Sequence, residues 1–255
     1  MKACLKSQPE PACLKVFREV NPRGSWEEFR NEARECYSKL RDMLNQDQGG
    51  LCAYCEMDVA EDNAQIAHFH PKSDSGACNW ALKWTNLWLA CRGGTQSWLT
   101  EDPANYLPPL PENRSCDEAK ADRILDGQIL SPSEIQAFPR IVRFEQWPNR
   151  VEIQPDPEGC HQARIDPEKV KATIDKLNLN CARLAEARLR CLRQWEQQIK
   201  RLRLHSPNEA ALYKSFVENK LTKNVAGRWT RFFTLARWRF RTMAEDYLRA
   251  TGYTG

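Results

Sequence analysis

Two cysteines stand close together in the segment Cys52-Ala53-Tyr54-Cys55. This spacing lets two thiolates on one tight turn bind the same metal ion, and tetrahedral zinc then needs two further ligands. The donors that follow along the chain are His68, His70, Cys78, Cys91 and Cys116. Two other interpretations stay open: a chance pair among eleven cysteines, and a redox-active pair, although a redox CxxC normally follows a strand in a βαβ unit. We predict a structural zinc site.

A second group of reactive side chains lies in the segment Ile66-Ala67-His68-Phe69-His70-Pro71-Lys72-Ser73. An imidazole whose pKa lies near neutral can take a proton from an attacking water, so His68 is a candidate general base. The alternative for His68 is a partly buried structural imidazole. His70 could touch a substrate phosphate or could be a solvated surface side chain.

The order of short motifs along the chain resembles the HNH endonucleases, and within them the PtuB-like nucleases of Septu and retron defence systems. The CxxC pair is followed by the AHFHPK segment, then by Asn86-Leu87 ahead of Cys91, then by Cys116-Asp117-Glu118-Ala119-Lys120 and Ile129-Leu130-Ser131-Pro132. The resemblance covers roughly residues 40 to 190. Each motif is weak alone, and their joint order makes the match specific.

The resemblance implies a role for each matching residue. Cys52, Cys55, Cys91 and Cys116 would form the structural zinc site. The 24 residues between Cys91 and Cys116 depart from the compact arrangement of the family, so Cys78 competes with Cys91 as the third ligand. His68 would be the general base, Asn86 would orient the loop that carries it, and Asp117 would bind the catalytic metal, Mg²⁺ or Mn²⁺.

The departure that matters most is Ala67. The family has an aspartate or glutamate at this position as a direct ligand of the catalytic metal, and an alanine side chain cannot coordinate a cation. We therefore expect this chain to cleave poorly or not at all. The alanine is either natural or was introduced to silence a toxic nuclease, and the otherwise intact site favours the second.

Charge and family resemblance together suggest the partners. Net charge is +4, but residues 183 to 249 carry sixteen basic and six acidic residues, which suits a polyanion or an acidic protein surface. The predicted nucleic-acid contacts are His70, Lys72, Lys120, Arg228 and Arg231. The resemblance also implies a partner ATPase of the ABC or SMC type, similar to PtuA, which a retron complex could include.

The predicted elements give an α+β, mostly helical protein. A capping box at Ser25 to Glu28 predicts a helix from about residue 26 to 45, and Ile141 to Ile153 predicts a β-hairpin. Further helices are predicted over about 167–176, 181–203, 206–221 and 228–249, whereas the first twenty-odd residues look irregular. We divide the chain into an N-terminal helical segment (1–48), a ββα-metal nuclease core with its zinc (49–135), and a hairpin with a basic helical region (136–255).

Composition places the chain among globular proteins, with 41% hydrophobic and 28% charged residues. No apolar run approaches the length of a membrane span, and the first residues lack the apolar stretch of a signal peptide, so we expect a cytoplasmic location without membrane contact. Two alternatives to a nuclease remain open: a zinc-containing module that only binds nucleic acid or a partner, and a thiol redox protein.

Overall fold

The computed structural model describes residues 1–59, 63–74, 76, 78–95, 111–204 and 208–255. Within these ranges about half of the chain is helical, and the strands form two small antiparallel sheets. The helices are α1 (Ala12–Val20), α2 (Trp26–Glu32), α3 (Arg34–Gln48), α4 (Cys116–Lys120), α5 (Pro157–Ala163), α6 (Pro167–Lys176), α7 (Ala182–Leu204), α8 (Glu209–Lys220) and α9 (Phe233–Ala250). The strands are β1 (Ala64–His68), β2 (Leu87–Cys91), β3 (Val142–Gln146) and β4 (Val151–Pro155).

The N-terminal region differs from the sequence-based prediction in two ways. The single helix expected over 26–45 is two helices, because the backbone leaves helical geometry at Ala33. Residues expected to be irregular form α1, which begins after Pro11 and is joined to α3 by a disulfide between Cys13 and Cys36. The capping box at Ser25 is present as predicted, with Ser25 and Glu28 bonding each other's backbone N–H.

The hairpin of β1 and β2 stands next to α3. Ala64 pairs with Cys91 and His68 with Leu87, so the ends of the two strands bring the cysteine and the histidine motifs into one small sheet. The buried side chain of Gln48, at the end of α3, accepts from the backbone N–H of Leu89 at 2.8 Å and donates to its carbonyl at 2.7 Å. This amide fixes the sheet to the N-terminal helices.

The second hairpin, β3 and β4, is confirmed close to its predicted position and packs on α6 and α7. Asn180 holds it through both backbone groups of Ile153, at 2.8 and 2.9 Å. The last helix is held by a different contact: the carboxylate of Glu56 accepts from the backbone N–H and the hydroxyl of Thr234, in the first turn of α9. The C-terminal helices are thus anchored to the residue that follows Cys55.

The last helices differ in detail from the prediction. Ser206 and Pro207, expected to start a helix, lie outside the described residues, and α8 begins at Glu209 behind an Asn208 cap. Helix α9 begins at Phe233 rather than at Arg228, and its backbone is non-helical at Arg241.

The fold class is mixed α and β, with helix making up about half rather than most of the chain. Throughout the described ranges, no helix has the length and apolar character needed to cross a membrane. The division into three parts at residues 48 and 135 stays a prediction.

Candidate functional site

Four buried cysteines converge at one point in the structure. The sulfur atoms of Cys52, Cys55, Cys91 and Cys116 all lie within 4.8 Å of one another. The Sγ–Sγ distances are 3.6 Å from Cys55 to Cys91, 3.8 Å from Cys91 to Cys116 and 3.9 Å from Cys52 to Cys116. Cys78, the competing third ligand, is only partly buried and stands outside this group. The structure thus brings Cys91, and not Cys78, into the cluster.

Local backbone geometry places each of these sulfurs. Cys52 and Cys55 lie on a turn closed by hydrogen bonds from Cys52 N to Met57 O and from Glu56 N to Cys52 O. Cys91 is the last residue of β2. Cys116 opens α4 with a positive φ of 59°, which its backbone bond to Leu177 O at 2.8 Å supports. The long insert between Cys91 and Cys116 is therefore compatible with a closed cluster.

The donor set and its spacing fit zinc. Zinc–thiolate bonds of roughly 2.3 Å in a tetrahedron put sulfurs about 3.8 Å apart, which matches the observed separations. Burial raises the pKa of the Cys55 and Cys116 thiols, so four thiolates could coexist here only around a cation. The cluster can hold one tetrahedral metal ion, and it has no free position for a substrate.

A buried arginine beside the cluster was missed in the sequence. Arg183 is 1% exposed and donates to the Ser115 hydroxyl. Burial acts to lower the pKa of its guanidinium, but the cysteine sulfurs, with Cys91 foremost, more than offset this. Its Nε has no hydrogen-bond partner among the described residues. Zinc with four thiolates carries a net charge of −2, and Arg183 is placed to balance part of it.

His68 ends β1 in a buried position, 6% exposed. Its Nε2 lies 3.1 Å from the carbonyl oxygen of Ala81. A carbonyl can only accept, so this bond places the ring proton on Nε2 and leaves the lone pair on Nδ1. Burial lowers the pKa of His68 to about 4, so the ring is neutral at pH 7. The ring therefore has the unprotonated form that a base needs, while its pKa lies below the near-neutral value expected from the sequence.

Asn86 holds the loop that follows His68. Its Oδ1 accepts from the backbone N–H of His70 at 2.7 Å, and its Nδ2 donates to the carbonyls of His70 and Trp80 at 2.9 Å each. Asn86 is 4% exposed, so the side chain is committed to these three bonds. It therefore fixes the segment that follows His68, at His70 and at Trp80, which precedes Ala81.

His70 is a correction to the sequence-based prediction. It is neither a solvated surface side chain nor free to touch a phosphate, because it is buried and both ring nitrogens are engaged. Nδ1 lies 2.8 Å from Asp126 and Nε2 lies 2.7 Å from Asp74, while the ring stacks on Trp80 at 4.2 Å. The sequence pattern suggested neither aspartate.

Asp117 follows Cys116 directly and lies near β1. Its carboxylate accepts from the Gln65 amide at 3.3 Å, and burial raises its pKa to about 6. Gln65 and Ala67 are two residues apart in β1 and so point to the same face of the strand. A side chain longer than that of Ala67 would extend from the face on which Gln65 reaches Asp117. As the chain stands, Asp117 is the one carboxylate at the positions expected to bind a catalytic metal, and the set is incomplete.

The predicted nucleic-acid contacts separate into two groups. Lys120 is a correction: it is 2% exposed, its Nζ donates to Ala121 O at 2.8 Å, and it lies 3.7 Å from Asp117, so it is an interior cation. Lys72 is at the surface and forms an ion pair with Glu27. Arg228 is exposed, and Arg231 is partly buried beside Cys191.

The basic excess of the C-terminal third is also partly internal. Arg183, Arg188 and Arg237 are each at most 2% exposed. Arg188 donates to the carbonyls of Leu179 and Val151, and Arg237 forms a two-pronged pair with Glu245. These three cations stabilise the interior and do not contribute to a basic surface that could bind a polyanion.

Comparison with known proteins gives the family. No family model matches the chain. The Escherichia coli protein named "Retron Ec83 putative HNH endonuclease" is 36% identical over 198 residues, which span 69% of this chain and 73% of that protein. The Vibrio cholerae serotype O1 biovar El Tor protein named "Retron Vc95 putative HNH endonuclease" is 28% identical over 184 residues, spanning 71% and 75%. The identity and span of the first match show that this chain belongs to the family of HNH endonucleases associated with retrons.

Proposed function

We propose that this protein is a metal-dependent HNH endonuclease that hydrolyses phosphodiester bonds in nucleic acid, as the nuclease of a retron anti-phage system. The observation that carries the proposal is the state of His68. A histidine at the end of a strand, neutral at pH 7 and with Nε2 fixed on a backbone carbonyl, has one free lone pair to accept a proton from water. The names of the two relatives support the same activity.

In this proposal the two metal sites have different tasks. The four-cysteine cluster holds a structural zinc that joins the turn before β1, the end of β2 and the start of α4. The catalytic metal, Mg²⁺ or Mn²⁺, would be bound by Asp117 together with an acid at position 67. Because residue 67 is alanine, the chain as written lacks half of that set, and we expect it to be inactive or strongly impaired.

The partner assignments rest on the family resemblance and on surface charge. We propose a nucleic-acid substrate, DNA or RNA, contacted by the surface cations Lys72, Arg228 and Arg231, and a complex with an ABC- or SMC-type ATPase similar to PtuA. The PtuB-like character and a cytoplasmic location belong to the same proposal.

The experiment is cleavage by Ala67→Glu and Ala67→Asp beside the unchanged chain. Plasmid, single-stranded DNA and tRNA are incubated with Mg²⁺ or Mn²⁺, with the ATPase partner present and absent. We expect cutting to appear when the acid is restored and to vanish in Ala67→Glu/His68→Ala. Absence of cutting in every arm, with zinc bound and the complex assembled, would overturn the proposal.

A second candidate function is a non-catalytic zinc module that binds nucleic acid or a partner. Ala67 favours it, since a binding module needs no metal-binding acid at that position. Retention of His68, Asn86 and Asp117 in one arrangement favours the nuclease, because binding alone requires none of the three. The same cleavage experiment separates the two functions.

A further inference from the structure

A cleft of about 740 Å³ adjoins the candidate general base. Helix α2 and the segment following Lys72 form its walls, which include Arg23, Trp26, Glu27, Lys72, Asn79 and Ala81. Two of these residues touch His68: the Trp26 ring meets its ring edge-on at 4.6 Å, and Ala81 accepts its Nε2 proton. His68 itself lies behind them. The cleft is therefore separated from His68 by residues that touch the imidazole directly.

One ion pair crosses this cleft. The ammonium of Lys72 binds the carboxylate of Glu27, and this bond lowers the pKa of Glu27. The two side chains are 38% and 65% exposed, and ion pairs at such positions contribute only about 0–1 kcal/mol. An incoming anion can therefore replace the carboxylate on Lys72 at small cost.

With Glu27 in place, the carboxylates that line the cleft outnumber its cations, which disfavours a polyanion. Arg23 and Lys72 supply two cations, against the carboxylates of Glu27, Asp74 and Asp122. Asp74 is bonded to His70, so it is already engaged. With Glu27 turned away from Lys72, two cations balance two aspartates, one of which is bonded to His70, and the Lys72 ammonium can meet a phosphate.

We propose that this cleft binds the substrate strand and that the Glu27 carboxylate pairs with Lys72 where a phosphate of the substrate would otherwise bind. The inference rests on the proposed function and adds the strand's site and the residue that blocks it. Trp26 and Glu27 are consecutive on α2, so the residue that occupies Lys72 and the ring that covers His68 lie on the same helix.

Binding is measured without cleavage, with the unchanged Ala67 chain in buffer to which no Mg²⁺ or Mn²⁺ is added. Fluorescence anisotropy follows a labelled 20-nucleotide single strand and the corresponding duplex over a range of salt concentrations. The variants are Glu27→Gln, Lys72→Met and their combination. Glu186→Gln is the matched control, because Glu186 forms a comparably exposed pair with Arg190 on α7, outside the cleft. Thermal unfolding midpoints check that each variant is folded.

We expect Glu27→Gln to tighten binding up to about fivefold and to steepen the salt dependence by about one released counterion. Lys72→Met weakens binding, and the gain from Glu27→Gln disappears when both changes are present. A gain no larger than that of Glu186→Gln, or one that persists without Lys72, would overturn the inference. If Ala67→Glu cuts nucleic acid but Glu27→Gln does not change binding, the nuclease function stands and this binding site is rejected. If Glu27→Gln tightens binding but Ala67→Glu does not cut, the binding site stands and the nuclease function is rejected.

Discussion

The ring of Trp26 meets the ring of His68 edge-on, with centroids 4.6 Å apart and planes at 89°. The contact joins α2 to the end of β1 and leaves the imidazole 6% exposed. A charged imidazole would lose its hydration in this position, so the neutral form is favoured. The N-terminal helices therefore set the chemical state of the candidate base as well as covering it.

This burial predicts an acid-sensitive stability. The pKa of His68 is about 4 in the folded protein against about 6.5 in the unfolded chain, so the unfolded state takes up a proton first as the pH falls. The free energy of unfolding should decline between pH 6.5 and 4, by about 2 kcal/mol at pH 4.5. Urea unfolding from pH 7.5 to 4.5 measures it. His68→Gln should flatten the profile, and the exposed His161→Gln should leave it unchanged; equal profiles for all three proteins would contradict the prediction.

Asn86→Ala should destabilise the loop around His68 more than it destabilises the other parts of the protein. It removes three buried hydrogen bonds and leaves the backbone groups of His70 and Trp80 without those partners. We expect a loss of about 2–4 kcal/mol in the free energy of unfolding and faster hydrogen exchange at the His70 amide. Asn86→Asp keeps the acceptor and should retain the protection of that amide better. Equal exchange in both variants would mean that the amide is held by other contacts.

A zinc measurement can decide between Cys91 and Cys78, which the sequence alone left as alternative third ligands. Metal analysis after dialysis should find about one zinc per chain, and Cys91→Ser should lose it together with folded structure. Cys78→Ser should keep it, because Cys78 lies outside the cluster. The opposite result would transfer the third ligand to Cys78. Zinc near zero in the unchanged chain would instead favour a redox pair at Cys52 and Cys55.

Local signals in the sequence predicted much of this arrangement. The spacing of Cys52 and Cys55, the capping box at Ser25 and the alternation around Phe144 each depend on residues close in the chain, so they could be read directly. The sequence did not predict that α1 would form and be joined to α3. Pro9 and Pro11 suggested an irregular backbone, although a proline is also compatible with the start of a helix.

Side-chain burial was the part that sequence could not supply. Arg183 and Lys120 look like surface cations in a basic chain, yet both are buried, and Arg183 donates to Ser115, 68 positions away. The engagement of His70 by Asp126 spans 56 positions, and no local pattern reports such a contact. Charge counts along the chain therefore overstated the basic surface.

Arg183 should raise the affinity of the cysteine cluster for zinc and not only pack against it. Arg183→Met removes the cation beside Cys91 while keeping an apolar side chain of similar length. We expect zinc affinity, measured by competition with a chromophoric chelator, to fall about 10–100-fold. Arg190→Met, an exposed change on the same helix, should leave affinity unchanged. If Arg183→Met lowered only the unfolding midpoint of the zinc-loaded protein, its role would be packing alone.

Restoring an acid at position 67 should make stability depend on divalent metal. Ala67 is fully buried opposite Trp88, and the new carboxylate would emerge on the face where Gln65 reaches Asp117. Two carboxylates near each other in the interior repel and lose hydration, so Ala67→Glu should lower the unfolding midpoint in buffer without added Mg²⁺ or Mn²⁺. Added Mg²⁺ or Mn²⁺ should recover it, because a ligand that binds only the folded state stabilises that state. Asp117→Asn in the Ala67→Glu background should abolish the recovery. An Ala67→Glu protein whose midpoint is the same with and without metal would mean that residues 67 and 117 do not share a cation.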